Sequence, residues 1–115
     1  MANVLTANPM VINGSMATSY KAQLAAASPN AGINNTSYGT LHSLLIDKLE
    51  WLSPATIGDT LIIGDPVSGA TLLKLVCETA LQSQIIDWSA NPRLWTDFEV
   101  NSFPSGTLYI FYHLG

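Results

Sequence analysis

The sequence predicts an all-β domain, a small antiparallel β-sandwich or barrel, preceded by an extended N-terminal arm. From residue 41 onward, short apolar runs alternate with clusters of Gly, Pro, Asp and Ser, and these turn signals recur roughly every ten residues. Before residue 41 the chain is rich in Asn, Ser, Thr, Ala and Gly, and its one charged side chain is Lys21. We therefore divide the chain into an arm over residues 1–40 and a β domain over residues 41–115.

The arm contains two short apolar islands, one at Val4 and Leu5 and the other at residues 10–12. Residues 19–27 can form about two turns of helix, because Lys, Gln, Leu and Ala favour helix and Pro29 would end it. Residues 30–39 combine Gly and Asn without apolar periodicity, which predicts a loop.

The β domain is expected to contain strands at residues 42–52, 59–64, 71–79, 84–88, 94–103 and 106–114. Residues 64–70 predict a hairpin turn in which Gly69 takes a positive φ. The tight connection at residues 104–106 predicts a second hairpin between the last two strands. The first and last strands carry apolar residues on both faces, which indicates pairing on both edges or a covering partner.

Charge is scarce, with four basic and eight acidic side chains among 115 residues. An ordinary soluble domain has about a quarter of its residues charged, and those charges keep neighbouring molecules apart. Few charges without a membrane-spanning run suit a protein that packs against copies of itself or a larger assembly. The scattered basic residues form no stripe for phosphates, so neither nucleic acid nor a membrane is an expected partner.

The sequence predicts no enzymatic activity and no cofactor. It contains no Gly-x-Ser-x-Gly motif, and its histidines, His42 and His113, fit satisfied or exposed positions at strand ends. The single cysteine, Cys77, cannot form an internal disulfide or a structural zinc site and is expected to pack as a small apolar side chain.

A metal site is not predicted either. The carboxylates of Asp59 and Asp65, with Asp47 and Glu50 upstream, could approach a hard cation, but their spacing does not match a calcium loop. We interpret Asp59 and Asp65 as turn residues that bind backbone NH groups.

Aromatic and apolar side chains provide the candidate protein-contact residues. Core packing is the first expectation for the aromatics, protein contact the second and stacking on sugar rings the third. The candidates for protein contact are Val4, Leu5, Met10, Ile12, Tyr20, Leu24, Tyr38, Trp51, Trp88, Trp95, Tyr109 and Phe111.

Three stretches resemble small virion structural proteins of tailed bacteriophages, in particular capsid cement or decoration proteins. They are residues 1–12 (MANVLTANPMVI), residues 46–51 (IDKLEW) followed by residues 58–63 (GDTLII), and residues 98–112 (FEVNSFPSGTLYIFY). The resemblance covers much of residues 1–12 and 43–114, whereas residues 13–40 depart from the shorter members of the group.

The resemblance implies a small β domain on the outside of an icosahedral head, made in the host cytoplasm and bound to the shell. Its expected partners are the major capsid protein or another virion protein, together with copies of itself, and a homotrimer is favoured. Two alternatives stay open: a tail or fibre attachment component, and a carbohydrate-binding module of a host-recognition structure that uses Trp88 or Trp95.

Overall fold

Two antiparallel sheets pack face to face in the computed structural model, which describes residues 3–5, 7–16, 18–27 and 43–114. This confirms the predicted small all-β sandwich. The elements are β1 (Met10–Ile12), α1 (Tyr20–Ala27), β2 (Leu44–Leu52), β3 (Thr60–Gly64), β4 (Thr71–Val76), β5 (Gln84–Asp87), β6 (Arg93–Trp95), β7 (Glu99–Ser102) and β8 (Thr107–Leu114). The helix α1 confirms the prediction at residues 19–27, and the loop predicted at residues 30–39 lies outside the described residues.

The larger sheet has five strands in the order β1-β8-β2-β5, and β6 pairs with another part of the same edge of β2 that β5 occupies. The smaller sheet has the order β4-β3-β7. Both β2 and β8 are therefore paired on both edges, as their two apolar faces predict. The hairpin between β3 and β4 is also confirmed, and Gly69 in its turn has φ +77°.

A β-bulge in β2 explains why both of its faces look mixed in the sequence. Ile46 and Leu49 are both fully buried although they are three positions apart, and the register with β8 shifts between Ile46 and Lys48. A bulge inserts one extra residue, so the inward positions change phase across it. The extra residue is Asp47, whose carbonyl oxygen accepts a hydrogen bond from the Trp88 NH at 2.7 Å.

The strand predicted at residues 94–103 is wrong, because it is two strands in different sheets. β6 pairs with β2 in the larger sheet and β7 pairs with β3 in the smaller one. Between them, one carboxylate oxygen of Asp97 accepts hydrogen bonds from the NH groups of Phe98 (2.9 Å) and Lys21 (3.1 Å). The corner lets Trp95 and Phe98 both enter the core, with ring centroids 5.5 Å apart.

The predicted hairpin between the last two strands is wrong for the same reason. β7 lies in the smaller sheet and β8 in the larger, so residues 104–106 cross between sheets. Gly106 has φ +81°, and a Cβ there would lie 2.6 Å from the carbonyl oxygen of Leu52. Any other residue would clash at this crossing.

The described part of the arm makes its contacts with its own domain. β1 pairs with β8, and Met10 and Ile12 are fully buried. Farther along, the NH of Met16 donates to the Val100 carbonyl at 2.9 Å, and Tyr20 stacks on Phe98 with centroids 5.3 Å apart. Leu5, Met10 and Ile12 of the arm thus belong to the core between the sheets.

Two asparagine side chains hold this segment in place. Asn3 accepts from the NH groups of Asn13 (2.6 Å) and Gly14 (3.1 Å), and donates to the Gly14 carbonyl at 3.0 Å. Asn8 donates to the Tyr112 carbonyl at 2.7 Å and accepts from the Tyr112 NH at 3.4 Å. A side-chain amide offers the same donor and acceptor as a peptide group, so each asparagine takes the place of a strand residue.

Candidate protein-interaction surface

The side of the five-stranded sheet that points away from the core carries mostly apolar and aromatic side chains. Along β1, β2 and β8 these residues alternate with buried ones, and across strands they are direct partners. They are half-buried or exposed. We call this surface the outer face, and it consists of Val4, Val11, Leu45, Lys48, Glu50, Leu52, Ile85, Asp87, Leu94, Thr107, Tyr109, Phe111 and His113.

One row of side chains crosses the whole outer face. Val4, Val11, Tyr109, Glu50 and Ile85 are successive cross-strand partners. Directly opposed residues in antiparallel strands have Cβ atoms about 4.5–5.5 Å apart, so the row is continuous. At the sheet edge Ile85 is 61% exposed, as is Leu94, the cross-strand partner of Leu45.

An ion pair lies at the centre of this apolar surface. Lys48 Nζ is 3.2 Å from Glu50 Oε2 and 4.5 Å from the ring centroid of Phe111. Residues two apart on a strand share a face, so the pair is formed within one strand and neutralises itself. An exposed pair of this kind stabilises a fold by about 0–1 kcal/mol. Its main effect is to neutralise Lys48 and Glu50 against each other, and the Asp87 carboxylate beside Lys48 adds one negative charge.

A second pair, His113 with Asp47, marks one margin of the outer face. His113 Nδ1 lies 2.9 Å from Asp47 Oδ2, beside the bulge in β2. The prediction of a satisfied, exposed histidine near a strand end is confirmed for His113, whereas His42 lies outside the described residues.

A smaller apolar surface, which we call the end patch, consists of Ile57, Val76 and Leu81. Ile57 and Leu81 are each 67% exposed. Their loops are tied together, because the Leu81 NH donates to the Pro54 carbonyl at 2.7 Å. Leu81 also has φ +65°, a left-handed conformation that costs a residue with a Cβ about 1–2 kcal/mol.

The structure separates the twelve contact candidates into several groups. Val4, Tyr109 and Phe111 lie on the outer face. Others point inward and are core residues that an intact domain cannot offer to a partner: Leu5, Met10, Ile12, Tyr20, Trp51 and Trp95. Leu24 lies in α1, and Tyr38 lies outside the described residues. Sequence reasoning missed Leu45, Ile85, Leu94, Ile57 and Leu81.

The tryptophans offer little to a sugar ring. Trp51 and Trp95 are buried, and Trp51 Nε1 donates to the Ser105 carbonyl at 3.0 Å. Trp88 is half-buried, with the Arg93 guanidinium 5.0 Å from its ring centroid. Stacking on a sugar needs an open ring face. This arrangement gives the carbohydrate alternative no support.

The prediction that Asp59 and Asp65 bind backbone NH groups is confirmed for Asp65 only, because the Asp59 carboxylate bonds a serine hydroxyl instead. Asp65 Oδ1 accepts from the Val67 NH at 2.9 Å, and this hydrogen bond lowers the pKa of Asp65. Asp59 Oδ2 accepts from the Ser105 hydroxyl at 2.5 Å. Cys77 is buried, as expected. Among the described residues no group of three or more His, Cys, Asp or Glu side chains is placed to hold a metal ion.

Comparisons with known protein families, curated proteins and solved structures find no match for this chain. Within the described ranges, no helix is long and apolar enough to cross a membrane. The fold and its surface define a small two-sheet β domain with an apolar outer face.

Proposed function

We propose that the protein is a non-enzymatic virion structural protein, a capsid cement protein that binds and stabilises the head shell of a tailed phage. The observation that supports a structural role is the outer face, a mostly apolar sheet surface whose central Lys48 and Glu50 form an ion pair. The assignment to a phage head rests on the resemblance of residues 1–12, 46–51, 58–63 and 98–112 to that group.

The position of the core supports a role for the outer face in contact rather than in folding. Leu49, Ile110 and Leu108, which alternate with outer-face residues on β2 and β8, are fully buried against the second sheet. The fold therefore has a complete core without the outer face. Contiguous apolar surface left exposed on a small domain marks a site for another macromolecule.

The chemistry of the face predicts how it binds. Few charges lie on it and those at its centre are paired, so affinity would come from buried apolar area rather than from long-range attraction. Salt screens exposed charges but leaves apolar burial intact or stronger. Contacts through this face should therefore persist at high salt.

Cosedimentation with undecorated heads tests the proposal. The double variant Ile85→Lys/Leu94→Lys places two cations on the exposed edge of the outer face and should abolish binding. Val67→Lys is the matched control, because Val67 is exposed in the turn between β3 and β4, away from this face. Wild type and the control should bind at low and high salt. Failure of the wild type to bind heads would refute the cement role, and labelling at the tail in virion images would replace it with tail attachment.

A further inference from the structure

We propose that the outer face binds a second copy of this chain, packed face to face about a two-fold axis that passes over Leu49. The inference deepens the proposed function and rests on it, because two copies joined through the outer face would form the unit that binds the shell. It differs from the homotrimer that the resemblance implies.

The central charges make the face complementary to itself. Lys48 and Glu50 flank Leu49 on β2 and point to the same side. The two-fold axis lies between the outer faces of the two protomers and runs perpendicular to their strands. It therefore reverses the direction of β2 from one protomer to the other. Lys48 of each protomer then faces the other protomer's Glu50, so opposite charges meet twice. A two-fold contact of one patch with itself requires this self-complementarity.

On β8 and β2 the neighbouring residues match under the same rotation, whereas at the β5 edge the Asp87 carboxylate of one protomer faces Ile85 of the other. Phe111 pairs with Lys48 in the sheet and Tyr109 pairs with Glu50, so Phe111 of one protomer faces Tyr109 of the other. Because Asp47 is the extra residue of the bulge, it adds no length to β2 relative to β8. Leu45 and Leu52 therefore lie about equally far from the axis, on opposite sides of it. Aromatic residues face aromatic residues and leucine faces leucine.

The area of the face suits a weak pair. Its strands have nine residues in β2, eight in β8, four in β5 and three each in β1 and β6. With a rise of ~3.3 Å per residue and strands ~4.8 Å apart, they present a face of about 430 Å². Two such faces bury about 860 Å², which lies in the range of weak or transient interfaces. A trimer uses different patches on each side of a contact, so it would not bring this face against itself.

Charge reversal tests the pairing. Lys48→Glu leaves two carboxylates at the centre of the face, and Glu50→Lys leaves two ammonium groups. Each variant alone should dimerise at least about tenfold more weakly than wild type, because like charges would meet twice. An equimolar mixture of the two variants should form a heterodimer. Sedimentation equilibrium over concentrations up to the millimolar range gives these masses, and far-UV circular dichroism checks that each variant is folded.

Two further variants keep the test decisive. Lys48→Gln removes the contact with the Phe111 ring without reversing charge, so it separates the loss of that contact from repulsion. Leu52→Lys changes a half-buried side chain that would face Leu45 of the other protomer, and it provides a disrupting variant if reversal at Lys48 unfolds the domain.

The outcomes distinguish this inference from the proposed function. A wild-type mass of one or three copies, or a mixture of reversal variants that stays monomeric, would overturn the pairing. Variants that dimerise like wild type but no longer bind heads would assign the face to the shell, so the pairing would fail and the cement role would stand. A wild type that pairs through this face but never binds heads would leave the pairing and remove the cement role.

Discussion

Removing the N-terminal segment should unfold the domain, and Ile12→Ala measures how much one of its residues contributes. Ile12 is fully buried and opposite Leu108 in the pairing of β1 with β8. Truncating a buried Ile to Ala costs about 2–5 kcal/mol, because apolar contacts are lost and a cavity remains. The adjacent Val11 is half-buried on the outer face, so Val11→Ala should cost about 1 kcal/mol.

Deletion of residues 1–12 should destabilise the domain more than any single substitution in this segment. It removes Leu5, Met10 and Ile12 from the core together with the pairing of β1. If each buried side chain contributes about 2–5 kcal/mol, their sum is comparable with the whole stability of a small domain, about 5–15 kcal/mol. The shortened chain is therefore expected not to fold.

Urea unfolding followed by tryptophan fluorescence and far-UV circular dichroism measures both effects. The reasoning fails if the shortened chain unfolds cooperatively at the wild-type midpoint, or if Ile12→Ala costs no more than Val11→Ala. The result also decides how binding can be probed. If the segment belongs to the core, deleting residues 1–40 would test folding rather than attachment.

Three further changes test other parts of the structure. Leu81→Gly should raise stability by about 1 kcal/mol by relieving the left-handed strain at an exposed position, and an unchanged or lower melting temperature would contradict this. Asn8→Ala should lower the free energy of unfolding by about 1 kcal/mol, because the hydrogen bonds between the Asn8 side chain and the Tyr112 backbone are lost. Urea unfolding of Asn8→Ala beside Asn8→Gln measures this loss. Burial raises the pKa of Tyr20 above that of a tyrosine in the unfolded chain. The stability that buried, neutral Tyr20 contributes is therefore complete below about pH 10, the pKa in the unfolded chain, and is lost as pH rises through the pKa in the folded protein. Alkaline unfolding should be weaker in Tyr20→Phe, and equal pH profiles would refute the assignment.

Local features of the fold could be predicted from the sequence. The β3–β4 hairpin follows from turn residues that lie close together in the chain, and the Asp65 NH does bond the Ala70 carbonyl at 2.8 Å. The two apolar faces of β8 likewise indicate a central strand. Such features depend on neighbours within a few residues, which a sequence displays directly.

Features that depend on distant partners could not be predicted. The corner between β6 and β7 uses the Asp97 carboxylate and the Lys21 NH, which are 76 positions apart. β1 is three residues long and gains its place by pairing with β8 near the other end of the chain. Neither partner can be identified from a short apolar island or a single aspartate.

The candidate surface shows the same limit. Residue type predicts that Trp51 or Met10 is apolar, but not whether it points toward the core or away from it. That choice depends on the phase of the alternation, and the bulge at Asp47 changes the phase within β2. Leu45 could therefore be placed on the outer face only once the register with β8 was known.

The placement of the few charges explains more about association than their number does. Every aspartate carboxylate has a hydrogen-bond partner within the domain. The partners are side chains for Asp47 (His113), Asp59 (Ser105) and Asp87 (Ser89), and backbone NH groups for Asp65 (Val67) and Asp97 (Lys21). At the centre of the outer face, Lys48 and Glu50 neutralise each other before a second copy arrives. Association of the wild type should therefore change little with salt. In the mixture of charge-reversal variants the charges are unpaired until contact, and screening over about 10 Å at 0.1 M salt should weaken that heterodimer. A wild-type dimer as salt-sensitive as the mixture would mean that the pair is not neutralised within each protomer.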